Sequence, residues 1–189
     1  MTRRKSKHKR YSTTRSPSNH TQRRNKNKRK YAGVCAFDID KTLTCGENTC
    51  SRNKINLIEE AIETCRQQNM AVVINTARPF QRDLLHSIPE QIKTNLVKNQ
   101  DKIYYHQKKA NNVDIEKLRH MNELQNDFNI PIEKSILIDD LLTNCNTVKK
   151  NGGRSIHVKK RNGIDDNNLE ELIQHINQIK KLKGKFISK

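Results

Sequence analysis

Two aspartates stand at i and i+2 in the stretch Ala36-Phe37-Asp38-Ile39-Asp40-Lys41-Thr42-Leu43-Thr44. Alternate residues of an extended chain share one side, so both carboxylates can aim into one space beyond the apolar run Val34-Cys35-Ala36-Phe37. Anions held that close repel each other, and a divalent cation or a shared proton relieves the repulsion. The plainer reading is an acidic loop after a strand. Two further stretches weigh against it. Met70-Ala71-Val72-Val73-Ile74 is continuously apolar and stops at Asn75-Thr76-Ala77-Arg78-Pro79. Ser135-Ile136-Leu137-Ile138 is apolar and stops at Asp139-Asp140. Arg78 reads as a surface cation.

Runs of this kind suit strands covered on both faces of a parallel sheet, rather than the alternating pattern of a half-exposed strand. The first strand covers residues 31–37, and a last one, Ser155-Ile156-His157-Val158, follows the stop signal Asn151-Gly152-Gly153. Helical spacing of apolar residues predicts helices over 56–68 (Leu57, Ile58, Ala61, Ile62, Cys65 inward), 80–87, 114–128 (Ile115, Leu118, Met121, Leu124, Phe128 inward), 144–150 and 168–183 (Leu169, Leu172, Ile173, Ile176, Ile179 inward). Between 88 and 112 the pattern is weak, with a short strand at Ile103-Tyr104-Tyr105. The alternation predicts an α/β protein, a doubly wound, mainly parallel sheet with helices on both faces. Ligands of such sheets gather beyond the carboxyl ends of the strands, which is where these acids and Thr76 fall.

Charge divides the 189 residues into two parts. Of 38 Lys and Arg, 13 lie in residues 1–30, which hold no acid; residues 31–189 carry the other 25 against 20 acids, or +5 of the total +18. The first part has too little apolar surface to offset its ordering entropy and reads as a disordered basic tail before one domain over 31–189. Nucleic-acid phosphates or a nuclear import receptor would suit it, and a merely solubilising tail is the plainer account. The five cysteines are odd in number and irregularly spaced, which argues for a reducing compartment and against a disulfide framework. Cys45 and Cys50 lack the second pair that a zinc site needs. No apolar run reaches the length of a membrane span and no secretory signal opens the chain, so an intracellular protein, cytoplasmic or nuclear, is expected. The oligomeric state is left open.

Asp38-Ile39-Asp40-Lys41-Thr42-Leu43-Thr44 resembles the DxDx[TV][LV] signature of the haloacid dehalogenase (HAD) superfamily. Val72 to Arg78 is similar to its second motif, and Ile136-Leu137-Ile138-Asp139-Asp140 with Asn144 to its acidic fourth motif. In several branches a lysine precedes the metal-binding Asp by the interval that separates Lys117 from Asp140; Lys108 and Lys109 are the competing choices. The resemblance covers about residues 33–160 and implies a Rossmannoid, Mg²⁺-dependent phosphatase. Asp38 would be the nucleophile that forms an aspartyl-phosphate, and Asp40 the general acid and base. Thr76 would bind a phosphoryl oxygen, with Thr42, Ala77 and Asn144 also on the substrate side. Lys117 would neutralise phosphate charge and hold Asp38 ionised. Asp38, Asp139, Asp140 and the backbone carbonyl of Asp40 would hold Mg²⁺. The plainer alternatives are a strand-end cap for Thr76, a solvated helix charge for Lys117 and a helix N-cap for Asn144.

Little chain is left for the cap domain that many relatives carry, so a capless, open site is expected. With the basic tail, it points to a phosphorylated substrate such as a nucleic-acid end or a nucleotide. A nucleic-acid-binding protein whose HAD-like scaffold has little turnover is the alternative, and phosphotransfer to an acceptor other than water would look the same in sequence.

Overall fold

The structure is a computed structural model, and it describes residues 31–46, 49–79, 85–99, 101–106, 112–160 and 162–182. The proposed tail, residues 1–30, lies outside the described residues, as do Lys108 and Lys109.

Among the described residues, five strands and five helices alternate. They are β1 Gly33–Phe37, α1 Arg52–Gln67, β2 Met70–Pro79, α2 Glu90–Lys98, β3 Lys102–His106, α3 Val113–Phe128, β4 Ser135–Asp139, α4 Leu142–Lys150, β5 Arg154–His157 and α5 Asp166–Lys181. All pairings are parallel and the strand order is β3-β2-β1-β4-β5. The chain winds outward from β1 through β2 to β3, then crosses back to place β4 on the other side of β1. That reversal opens a crevice between β1 and β4 at their carboxyl ends.

The side chains of β1 divide the core. Cys35 and Phe37 pack with Ile58, Ile62 and Cys65 of α1, Ile92 and Leu96 of α2, and Leu172, Ile176 and Ile179 of α5. Val34 and Ala36 pack with Met121 and Leu124 of α3 and Val148 of α4. Every residue of β1 and β4 is buried, as expected of central strands covered on both faces. Gly33 opens β1 where a Cβ would lie 2.4 Å from the carbonyl oxygen of Lys134, so this crossing admits only glycine.

Several expectations need correction. Helix α2 falls in the stretch of weak pattern and lengthens the connection from β2 to β3. The helix expected over 80–87 lies outside the described residues at 80–84, and Leu85 to Ser87 form a turn. Strand β2 runs on through Thr76 to Pro79, with its pairing to β3 shifting register between Asn75 and Pro79. Ile115 (55% exposed) and Ile173 (41%) face outward. In α3 the inward stripe instead passes through Lys117, His120, Met121 and Leu124, two of them polar. Cys45 and Cys50 form a disulfide across a Cα–Cα distance of 5.1 Å, against the expectation of a reducing compartment without a disulfide framework. Gly46, at φ +69°, turns the chain between them in the left-handed region that glycine tolerates. Cys35, Cys65 and Cys145 are free and buried. No helix among the described residues is long and apolar enough to cross a membrane. The described residues also form no separate cap domain.

Candidate active site

Strand β1 delivers Asp38 to the crevice and β4 delivers Asp139 and Asp140. The β1–β4 ladder continues one step past the strand, with Asp38 N–H donating to Ile138 C=O at 2.9 Å. Past Asp38 the chain makes one wide turn over Ile39 to Leu43, closed by Thr44 N–H donating to Ile39 C=O at 3.1 Å. Lys41 takes a left-handed conformation, φ 56°, and its N–H donates to Thr44 Oγ1. Its carbonyl accepts from Gly163 N–H, which ties the turn to the segment before α5. Asp38 is thereby fixed inward, while the half-exposed side chain of Asp40 leaves the turn toward β2.

Asp38, Asp139 and Asp140 are all buried and each offers an oxygen within 4.8 Å of the others. Lys117 reaches into them from α3, only 1% exposed. Its Nζ donates to Asp38 Oδ1 at 2.5 Å and to the carbonyl of Asn75, and it lies 3.0 Å from Asp139 Oδ2. Asp139 Oδ1 accepts from Leu141 N–H and Asn144 Nδ2, both at 2.9 Å. Asn144 is therefore no helix cap: it sits in the first turn of α4 and steers Asp139. His157 Nε2 donates to the carbonyl of Asp140 at 3.1 Å.

Burial raises the Asp38 carboxyl to about 7, with Lys117 pulling it down and Asp139 and Asp40 adding to the rise. Burial pulls the Lys117 ammonium down, but Asp139 and Asp38 outweigh it and leave it raised, hence charged. Ionised carboxylates gathered this closely in low dielectric repel one another, which is costly unless a cation joins them. A divalent ion with a preference for oxygen ligands relieves that repulsion and suits the donor set. The residues present fit Mg²⁺.

Asp40 is gripped by Arg78. Arg78 Nε donates to Asp40 Oδ2 at 2.8 Å and Nη2 to Oδ1, the two-pronged geometry that suits guanidinium and carboxylate. Nη1 also donates to Ser87 Oγ, and the hydrogen bonds to Asp40 raise the guanidinium further above its usual range. Arg78 is thus more than the surface cation expected. Thr76 is buried in β2 with its Oγ1 accepting from Arg78 N–H at 3.2 Å, and Ala77 follows it half-buried. Thr42 Oγ1 and Asn144 Oδ1 are buried and lack a hydrogen-bond partner among the described residues.

The structure therefore brings Asp38, Asp139, Asp140, Asn144 and Lys117 into one connected cluster. It joins Asp40 to the β2 edge through Arg78, and places Thr42, Thr76 and Ala77 on the segments that form the rim. Sequence reasoning passed over Asn75, His120 and His157. The signal for His120 was its place one helical turn after Lys117, on the same face as Met121 and Leu124.

Solved structures share this architecture. A protein from Corynebacterium glutamicum described as uncharacterized matches at 11% identity and TM-score 0.57, over 77% of this chain and 96% of that one. One named as a HAD-like phosphatase, from Mesorhizobium loti, matches at 14% and 0.54, over 79% and 88%. The N-terminal part of a Bacteroides fragilis protein, containing a phosphatase domain and complexed with Mg, matches at 11% and 0.51, over 78% of this chain and 40% of that one. No family model matches the sequence, and no curated protein does. At these identities the likeness is one of fold. The molecule is a parallel α/β protein with an acidic centre at its switch point, and its fold is like that of the structure named as a HAD-like phosphatase.

Proposed function

We propose that this protein is a Mg²⁺-dependent phosphohydrolase that cleaves a phosphomonoester through an aspartyl-phosphate on Asp38. The observation that carries the reading is the buried cluster of Asp38, Asp139 and Asp140, each offering an oxygen within 4.8 Å of the others, with the Lys117 ammonium beside Asp38 and Asp139. The matching structures include one solved with Mg and one named for phosphatase activity.

Asp38 attacks phosphorus, a bond forms from its carboxylate oxygen, and the bond from phosphorus to the substrate oxygen breaks. Once its pair with Arg78 loosens, Asp40 takes a proton from solvent and hands it to that leaving oxygen. It then takes a proton from the water that attacks the same phosphorus, which frees Asp38 and inorganic phosphate. Lys117 keeps its charge beside Asp38 throughout and stabilises the negative charge on the phosphoryl oxygens. The hydroxyls of Thr76 and Thr42, the backbone at Ala77 and the Asn144 side chain serve the phosphoryl oxygens and the groups that hold them. Asp38, Asp139, Asp140 and the Asp40 carbonyl would hold Mg²⁺, which when bound withdraws charge from the phosphoryl group.

The finer reading is that the phosphate sits on a nucleic-acid end or a nucleotide. What supports it is the concentration of 13 cations and no acid in residues 1–30, and the lack of a separate cap domain among the described residues. The test is Mg²⁺-dependent release of phosphate from a panel of phosphorylated sugars, nucleotides, peptides and DNA or RNA ends, with Asp38→Asn as control. Turnover by the wild type that Asp38→Asn abolishes is expected. Retained activity in Asp38→Asn removes the nucleophile, and a wild type inert across the panel favours the binding scaffold with little turnover.

A further inference from the structure

Strand β2 and helix α3 are joined by a buried polar link next to the cluster. Asn75 is wholly buried and makes three bonds to one face of α3. Its carbonyl accepts from Lys117 Nζ, its Nδ2 donates to the Lys117 carbonyl at 3.3 Å, and its Oδ1 lies 2.7 Å from His120 Nδ1. The bond from Nδ2 to a carbonyl fixes which way the Asn75 amide points. Its Oδ1 therefore faces the imidazole, so His120 Nδ1 carries the proton. The other ring nitrogen, Nε2, accepts from Arg119 Nη2 at 2.9 Å. His120 is itself wholly buried.

We propose that Asn75 and His120 are positioning residues for Lys117, a clamp across one turn of α3 that fixes where the ammonium lies against Asp38; the inference rests on the phosphohydrolase reading for its catalytic consequence. Lysine has a long flexible stem and an ammonium that any set of oxygens can satisfy. Without an outside restraint, its head would follow the nearest carboxylate. Asn75 removes that freedom, since the residue that accepts the ammonium also holds the backbone of Lys117 and, through His120, the next turn. A buried amide and imidazole cost stability unless each is satisfied; here Asn75 Oδ1 and His120 Nδ1–H satisfy each other, Asn75 Nδ2 donates to the Lys117 carbonyl and His120 Nε2 accepts from Arg119. If Lys117 needed only burial, apolar side chains at 75 and 120 would serve it better. Both residues act through Lys117; neither is assigned a contact with the phosphoryl group.

The experiment uses the full chain and compares Asn75→Ala, His120→Leu and His120→Asn. His120→Asn keeps an N–H donor near the position of Nδ1, whereas His120→Leu keeps the bulk and loses the donor. With p-nitrophenyl phosphate and Mg²⁺, Asn75→Ala and His120→Leu are expected to lower kcat by about 10- to 100-fold while KM changes by less than about threefold, as a misplaced group acting on the chemical step does. His120→Asn is expected to recover most of the loss. Equal kcat losses in His120→Leu and His120→Asn, or wild-type kcat in a folded His120→Leu, overturn the proposal. Should His120→Leu fail to fold, Asn75→Ala compared with Asn75→Ser, which keeps a short polar side chain, decides by the same split.

A second readout needs no turnover. In protein labelled with ¹⁵N at lysine, the clamped Lys117 ammonium exchanges its protons slowly and gives a resolved signal, assigned by its loss in Lys117→Met. The clamp predicts that the signal broadens away in His120→Leu and Asn75→Ala and persists in His120→Asn. A signal unchanged in all three overturns the clamp even if the wild type turns over. If the wild type is inert on every phosphate ester while the signal behaves as predicted, the phosphohydrolase reading fails and the clamp stands.

Discussion

Replacing His120 by Asn tests the burial of the clamp through pH. Burial lowers the His120 imidazole from its ordinary 6.5 to about 4, with Arg119 and Lys117 adding to the fall. Glu116 on its own helix and a backbone contact from Tyr105 of β3 oppose it weakly, and the Tyr104 ring lies 6.2 Å away. On the β2 side it faces the uncharged Asn75. Between pH 6.5 and 4 the unfolded chain binds a proton at this site and the folded chain does not. Stability therefore rises with pH across that window, and the contribution of His120 is complete above 6.5 and lost on acidification toward 4.

A fall from 6.5 to about 4, at about 1.36 kcal/mol per pH unit, amounts to about 3 kcal/mol at the acid limit. At pH 4.5, where most of that window has been crossed, the loss is about 2.5 kcal/mol, a large share of an ordinary domain's stability. The amide introduced by His120→Asn cannot titrate, while the aspartates titrate alike in both proteins. Urea unfolding of wild type and His120→Asn at pH 7 and pH 4.5 isolates the effect as a double difference. The wild type should lose about 2.5 kcal/mol more than the variant on acidification. Parallel losses, agreeing within about 0.5 kcal/mol, would mean that His120 takes its proton in the folded state without cost. The reasoning from burial would then be wrong.

Arg78→Ala should lower kcat by roughly tenfold by leaving Asp40 unplaced, with Arg78→Lys between it and wild type; a kcat at or above wild type would make the pair a restraint instead. Mg²⁺ at 100 times its dissociation constant should stabilise the wild type by about 2.7 kcal/mol, seen as a rise in melting temperature. Asp140→Asn should lose most of that rise, and an equal rise in both proteins would place the ion elsewhere. Deleting residues 1–30 should weaken binding to DNA or RNA and flatten its dependence on salt by about 0.9 in log–log slope for each phosphate contact removed. Turnover of p-nitrophenyl phosphate should be unchanged, and its collapse would make the segment part of the site.

The rim was legible because strands buried on both faces must be apolar, so the first acid or hydroxyl after each run lies where the fully buried stretch ends. Asp38, Thr76 and Asp139 were found that way. Helix α2 was hidden because only Ile92 and Leu96 of its nine residues are buried, and Pro89 precedes it with no side-chain cap. Arg78 was undervalued because its partner lies 38 residues away, and pairing at that distance is a property of the fold. His120 escaped because apolar periodicity passes over a polar residue on the inward face, and the same bias wrongly turned Ile115 inward. The Cys45–Cys50 bridge depends on the turn at Gly46, which a cysteine count does not contain.

The two cations of the site differ in how freely they can let go. Lys117 and Asp38 are 1% and 7% exposed, and removing either partner of such a pair strands a buried charge at a cost of roughly 3–5 kcal/mol. Arg78 and Asp40 are 35% and 47% exposed, and solvent screening keeps a pair of that kind to about 1 kcal/mol or less. A bound phosphate ester can therefore part Arg78 from Asp40 at the expense of less than about tenfold in affinity. Parting Lys117 from Asp38 would cost about a hundredfold or more on the same scale. This difference matches the two tasks proposed for the carboxylates. On the proposed mechanism the nucleophile would keep one fixed partner through both chemical steps, whereas the acid and base would move between its resting pair, the leaving oxygen and water. Burial at Lys117 and exposure at Arg78 thus set which aspartate stays and which one moves.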